Sequence, residues 1–419
     1  MRVEMPPILC SVLVRDNWVE RPSTVRKIAA ACKRSYNETN ASVNQLSRLG
    51  GGSGSNASRD LSRLVSKLPF MKKLAIADVD VFAKRGTSEV FEPAKLPMLY
   101  PHDIVSTIWR TSPGKFEELF IGPEGNEGVE KFWNTHRYEE WFLEHPNIAD
   151  IEHEPSKCLP VKMWGDKAPV TRNLGISVLT MSPVMSKLAT MMSRVLLLLT
   201  VAGTVFDEAP FYERLAWSFA ACASGKHPRY DWDGNLFSPT SKRGALAGEL
   251  LCGGFSIILA WVTVDEEWIS EIFMFENNYN VDELCRRCKA TKRGGLLSAF
   301  NFCKGAPWTL AKRFHESYRQ GAGHNLAILK VPGVHLTAIK YDPMHVMFWG
   351  ILQWCLGSCF IELLQDNFWK AQEGGRWDTR YTRQLKEAFS DFRRWCRMRG
   401  IPCSQQRRFT LARLCTINR

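Results

Sequence analysis

From Gly253 to Val264 the chain reads Gly-Gly-Phe-Ser-Ile-Ile-Leu-Ala-Trp-Val-Thr-Val without one charged side chain, and Asp265-Glu-Glu-Trp268 follows at once. A β-branched and apolar run of this kind needs cover on both faces. It therefore predicts a central strand of a mixed sheet, with a helix over Glu266–Phe275 at its exit. Upstream, Leu159–Trp164 ends at Gly165-Asp166, and Leu174–Met181 and Arg194–Val201 are further apolar runs separated by turn residues. Three such neighbours predict an antiparallel meander. Pro210 opens a helix whose apolar face holds Phe211, Leu215, Trp217 and Phe219 and which runs to about Cys222, and a second helix is expected over Ser241–Leu251. The order is three strands, helix, strand, helix, with Asp166 leaving the first strand and Asp265 the fourth. Acids at strand exits can converge on one edge, where loops hold metal and substrate. Each Asp also fits a turn or a helix N-cap, Asp265 standing before Glu-Glu-Trp as at a helix start.

The stretch that follows is rich in metal-capable groups. Cys285-Arg-Arg-Cys288 puts two thiols at a spacing that lets both sulfurs reach one ion, and Asp342-Pro-Met-His345 lies further on. Thiolates and imidazole are the donors zinc prefers, so the pair can form half of a tetrahedral site completed by His345 and either Asp342 or Cys303. Two free thiols and a hydrogen-bonded histidine are the plainer reading of the same residues. Thirteen cysteines, an odd number, in a chain that starts Met1-Arg-Val-Glu-Met-Pro-Pro without an apolar leader point to a reducing, intracellular compartment. Cys355 and Cys359, one helical turn apart, are expected to be small buried residues.

Length divides the chain. At 419 residues with 45% hydrophobic content, 15 Trp and 23 Phe, it exceeds one ordinary core and is rich enough to bury more than one. Residues 1–65 are polar and basic around Gly50-Gly-Gly-Ser-Gly-Ser55 and are expected to form a partly disordered arm with a flexible linker. Residues 66–157 are expected to form a small helical domain containing a helix over Asp103–Thr111, with Trp133, Trp141 and Phe142 as anchors. The strand-rich region spans 158–365, and a basic helical tail occupies 366–419. Val346–Leu364 is apolar but carries Gln353 and Glu362, which favours a buried helix over a membrane span, so no membrane is expected. Val195–Phe206 is too short to span a membrane and reads as a core strand.

The net charge of +12 favours a polyanionic partner. The basic groups crowd the tail, where Arg380, Arg383, Arg393, Arg394, Arg397, Arg407 and Arg408 alternate with Trp377, Tyr381, Phe389, Phe392, Trp395 and Phe409. Cations between aromatic rings are what a nucleic-acid strand contacts. The same alternation at helical spacing also describes a solvated face over a core stripe.

Taken together, Leu96-Pro-Met-Leu-Tyr-Pro-His-Asp103 ahead of Trp109, Gly165-Asp166, Val264-Asp-Glu-Glu-Trp-Ile269, Cys285-x-x-Cys288 and Asp342-x-x-His345 before an apolar helix resemble the transposases of the CACTA (En/Spm-like) group, particularly the transposase-derived proteins of dinoflagellate algae. The resemblance covers roughly residues 96–365. It implies a mixed α/β, ribonuclease-H-like catalytic domain, a DDE-type mechanism of DNA strand cleavage and transfer, and DNA at transposon ends as partner. A homo-oligomer and a nuclear location go with it. It also implies Mg²⁺ or Mn²⁺ held by three carboxylates, beside a structural Zn²⁺ at Cys285, Cys288, Asp342 and His345. Carried over, the first acid is Asp166 and the second Asp265; the third is a Glu on a later helix, Glu362 or Glu387. Family members continue well past the Asp-x-x-His helix, so a shortened, catalytically impaired copy is expected. The alternatives are a nucleic-acid-binding protein that keeps the fold without the chemistry and a membrane-associated protein built on the apolar runs.

Overall fold

The computed structural model describes residues 76–85, 90–171, 174–187, 195–201, 204–264, 266–275, 281–301, 303–321, 325–342, 352–370, 376–400 and 409. The arm 1–65, Asp265, His345, Arg407 and Arg408 lie outside the described residues. Two compact units divide the chain, Met1–Lys340 and Tyr341–Arg419.

The first unit is mixed α/β. Its strands are β1 (Ala77–Arg85), β2 (Glu92–Met98), β3 (Cys158–Thr171), β4 (Leu174–Pro183), β5 (Val195–Val201), β6 (Thr204–Phe206) and β7 (Ser256–Val264), with β8 (Ile339–Tyr341) at its end. Among the described residues these strands form one sheet in the order β6-β1-β2-β5-β4-β3-β7-β8. The principal helices are α1 (Pro101–Thr111), α2 (Gly125–His136), α3 (Ala209–Ser224) and α4 (Glu266–Ile272).

The expected meander is present: β3 pairs with β4 and β4 with β5, both antiparallel. The uncharged run forms β7, which lies parallel to β3. Four consecutive side chains, Ile257 to Ala260, are buried, as a strand covered on both faces requires. Helix α3 packs on β7 and β1 as well as on α1, so the helix between the meander and β7 helps to supply that cover. Its end is set by Gly225, whose φ of 65° allows the left-handed C-cap that returns an N–H to the Cys222 carbonyl.

Three expectations need correction. Residues 66–157 do not form a separate helical domain: β1 and β2 pair with each other and join the sheet through β6 and β5. In β1, buried Val79 and Val81 alternate with exposed Asp78 and Asp80, a period-two pattern with one covered face. Ser241–Leu251 holds only the 3₁₀ turn Gly244–Leu246. A Cβ on Gly244 would sit 1.9 Å from the Ser238 carbonyl oxygen, and Gly248 has φ of 82°, so the segment is a tight loop whose two glycines suit its turns. Asp166, finally, does not leave a strand, because β3 continues to Thr171 along β4.

The sequence Tyr100-Pro-His-Asp103 works as an internal brace. His102, fully buried, places Nδ1 2.7 Å from Ser218 Oγ on α3, and Arg243 Nη1 donates to its Nε2 at 3.0 Å. Arg243 Nη2 also donates to Asp103 Oδ2 at 2.7 Å. Ser, His and Asp together suggest a hydrolytic triad, but Nε2 is occupied as an acceptor by a guanidinium and no solvent reaches the ring. The three groups fasten α1, α3 and the 241–246 loop.

In the second unit, α5 (Gln353–Gln365) and α6 (Trp377–Met398) are joined by a hydrogen bond from Gln384 Nε2 to the Leu364 carbonyl, 2.9 Å. Rings of Phe360, Phe389, Phe392 and Phe409 fill the space beside it. Helix α5 is not the buried helix expected, since Cys355, Leu356, Ser358, Cys359 and Glu362 are all exposed. Among the described residues no helix is long and apolar enough to cross a membrane.

Candidate functional site

Among the described residues the parallel ladder between β3 and β7 runs as far as Gly165 opposite Val264. Asp166 is the next residue of β3, half-buried, and lies opposite Val178 in the antiparallel ladder with β4. Position 265 follows Val264 directly in sequence. A Cβ on Gly165 would meet the Trp268 indole at 2.6 Å, so the missing side chain is what lets that ring lie against β3. Trp268 is 3% exposed and anchors α4 beside the carboxylate-bearing end of the strand. Gly165 and Trp268, about a hundred residues apart in sequence, are therefore parts of one packing arrangement.

Of the other expected acids, Glu362 is exposed on α5 in the second unit and Glu387 is exposed on α6. Asp342 is half-buried just past β8.

Cys285 and Cys288 are both partly buried, and the Arg287 N–H points at Cys285 Sγ at 3.4 Å. Burial first, and the neighbouring Cys285 thiol with it, raises the pKa of Cys288. The turn is held by Leu284 N–H to the Ala290 carbonyl, 3.0 Å, and by Lys289 N–H to the Ala311 carbonyl, 2.9 Å. Cys303 is exposed.

The basic tail is the helix α6. At 3.6 residues per turn, Arg383, Lys386, Arg393, Arg394 and Arg397 fall within about 100° of arc and spread over about 21 Å of its length. All five are exposed. The opposite side carries buried Gln384, Leu385, Ala388 and Cys396, so the alternation forms a solvated cationic face over a core stripe. Arg380 lies partly buried at the edge of that face, and Arg394 pairs with Asp391 at 3.4 Å.

A further group has almost no sequence signal. Glu140 and Glu144 meet His335, with one donor atom from each lying within 4.8 Å of the others. Among the described residues this is the one set of three or more His, Cys, Asp or Glu side chains gathered closely enough to hold an ion. The Glu-x-x-x-Glu spacing is its only local sign; His335 sits almost two hundred positions away.

No family model, no curated protein and no solved structure matches this chain.

Proposed function

We propose that the chain is a DDE-type, transposase-like protein that acts on DNA, built on a ribonuclease-H-like core. The observation that carries this reading is the parallel register of β3 and β7, which sets Gly165 opposite Val264, each followed in sequence by an aspartate. The chain order of the meander β3–β5, then α3, β7 and α4, follows the order of three strands, helix, strand and helix read in the sequence, which supports the reading. The motif residues Gly165, Asp166 and Trp268 meet at that strand end, which supports the same reading.

The donor chemistry fits hard divalent cations. Carboxylates suit Mg²⁺ and Mn²⁺, and a half-buried Asp166 at the edge of a rigid ladder loses little freedom on binding. Asp166 and Asp265 would hold the ion; the third acid that the resemblance implies, Glu362 or Glu387, belongs to the second unit. Bound there, the metal would supply charge stabilisation to the attacking and leaving oxygens of a phosphodiester. The chain itself contributes the fixed position of Asp166, set by Gly165 and Trp268, and a cationic face on α6 that would draw in the DNA backbone. The basic face neutralises phosphates without reading bases.

The exposure of Glu362 favours a second reading, binding without efficient cleavage, because a third carboxylate facing solvent completes no metal pair by itself. The test is Mn²⁺- or Mg²⁺-dependent nicking of transposon-end DNA by the full chain beside Asp166→Asn. Slow nicking that is lost in the variant supports the nuclease reading. Equal nicking by both proteins would remove Asp166 from the chemistry, and no nicking alongside salt-dependent DNA binding would leave the second reading.

A further inference from the structure

We propose that Glu140, Glu144 and His335 form a binding site for a first-row divalent cation, Zn²⁺ by preference, which clips the 140–144 turn to the segment leading into β8. The site is separate from the strand-end carboxylates and from the thiol pair, and it does not depend on the DNA-cleaving reading.

Three local features build it. Glu140 opens the short helix Glu140–Leu143 and Glu144 follows it, one turn on, so both carboxylates project from the same side. Trp141 and Phe142, 1% and 3% exposed, bury the opposite side and fix that orientation. His335 comes from a distant loop in which Gly333 has φ of 90°, and a Cβ there would lie 2.0 Å from the Leu259 carbonyl oxygen. Only glycine lets this turn press onto β7. His335 is delivered buried, at 5% exposure, with Nε2 3.0 Å from Glu144 Oε2.

The charges favour a cation. Glu139, on the same turn, is already taken up by Lys340 at 3.0 Å, by the Trp141 indole and by His136. Among the described residues neither Glu140 nor Glu144 is ion-paired to a Lys or Arg. Two carboxylates brought this close without a cation repel each other, and an ion between them reverses that sign. One imidazole nitrogen and two carboxylate oxygens are donors Zn²⁺ accepts, leaving a position for water.

The ring is also supported on its far side. His335 Nδ1 lies 3.0 Å from Thr337 Oγ1 and 3.1 Å from the Thr337 N–H. Metal binding at Nε2 requires the tautomer in which the ring's single proton sits on Nδ1, from where it is donated to the Thr337 hydroxyl, the arrangement that orients metal-bound histidines. The Thr337 N–H no longer donates to the ring in that state. The His315 ring, with its centroid 4.0 Å away, holds the imidazole plane, and His315 is itself tied by the Leu336 N–H at 3.2 Å.

The experiment uses the full chain carrying Cys285→Ser and Cys288→Ser, so that thiolate-bound zinc does not enter the count, and titrates Zn²⁺ calorimetrically with and without Glu140→Gln and Glu144→Gln. Glu144 is exposed and Glu140 half-buried, and melting followed by circular dichroism without zinc reports whether the fold is kept. The expected result is one equivalent of zinc that is lost, or bound at least tenfold more weakly, once both glutamates are replaced. Thr337→Val should weaken binding about tenfold through the ring alone. Equal stoichiometry and affinity with and without the glutamates would overturn the proposal. Should the double replacement impair folding, Glu140→Gln alone gives the same two outcomes, because Gln keeps the length and polarity of that side chain and removes only the charge. Asp166→Asn should leave this zinc untouched, which separates the site from the strand-end chemistry.

Discussion

The Trp268 indole occupies the space a side chain on Gly165 would need, with Cε2 2.6 Å from the position of that absent Cβ. The packing links β3 to α4 at the strand position where Gly165 faces Val264 of β7, next to Asp166 in sequence. Adding one methyl group has no easy accommodation, since the indole is buried and backed by Phe273. Gly165→Ala is expected to cost about 1–3 kcal/mol as overpacking, and Trp268→Ala about 3–5 kcal/mol as a cavity. Urea unfolding of both variants checks the values. A fully tolerated Gly165→Ala would mean that the indole is not seated on β3.

Stability should fall on the acid side because of His102. Burial first, opposed by Asp103 and assisted by Arg243, lowers its pKa from the ordinary 6.5 to about 3. The unfolded chain therefore binds a proton that the folded one refuses. The contribution is intact above about pH 6.5 and is lost progressively as the pH falls from there towards about 3, at on the order of 1.4 kcal/mol per pH unit. Urea midpoints from pH 7.5 down to 4.5 should decline in that direction, and the His102 imidazole resonance should not titrate before unfolding. A resonance moving with a midpoint near 6.5 would contradict the burial argument.

The cationic face of α6 predicts a slope rather than a single affinity. Each phosphate that the helix no longer neutralises should lower the slope of log K against log salt by about 0.9. Replacing Arg383, Arg393 and Arg397 by Gln leaves the buried stripe of Leu385, Ala388 and Cys396 alone, so folding should be kept. Fluorescence titration against duplex DNA at several salt concentrations should show a shallower slope. An unchanged slope would place the DNA-binding surface elsewhere.

Much of the sheet was legible because its signals are local. An uncharged run bounded by glycine and acid can only be an interior strand, and β7 is one. The alternating apolar runs of the meander similarly identify β3, β4 and β5. What escaped depended on distance or on small residues. The strands β1 and β2 were hidden in a segment whose Asp-Val-Asp-Val alternation is short and whose partner strand contains Pro93 and Pro97. Gly244 and Gly248 turn Ser241–Leu251 into a loop despite its helix-forming Leu and Ala. Asp166 was expected to leave the first strand, but β3 runs on past it because β4 still pairs with it. The grouping of Glu140, Glu144 and His335 follows from the Gly333 turn closing on β7, which no spacing rule encodes.

The thiol pair gives the last prediction. Cys285 and Cys288 sit on a turn already closed by backbone hydrogen bonds on both flanks, so little ordering remains to be done when an ion binds. The Arg287 N–H lies 3.4 Å from Cys285 Sγ. Burial, with the Cys285 thiol beside it, raises the pKa of Cys288. A zinc ion offsets that burial cost by direct ligation to the sulfur. Protein purified without chelator is therefore expected to carry one zinc that depends on these thiols. Cys285→Ser with Cys288→Ser should remove one equivalent by elemental analysis while the zinc assigned to Glu140, Glu144 and His335 remains. Identical zinc content in wild type and variant would leave the pair as ordinary thiols and return the Cys-x-x-Cys spacing to coincidence.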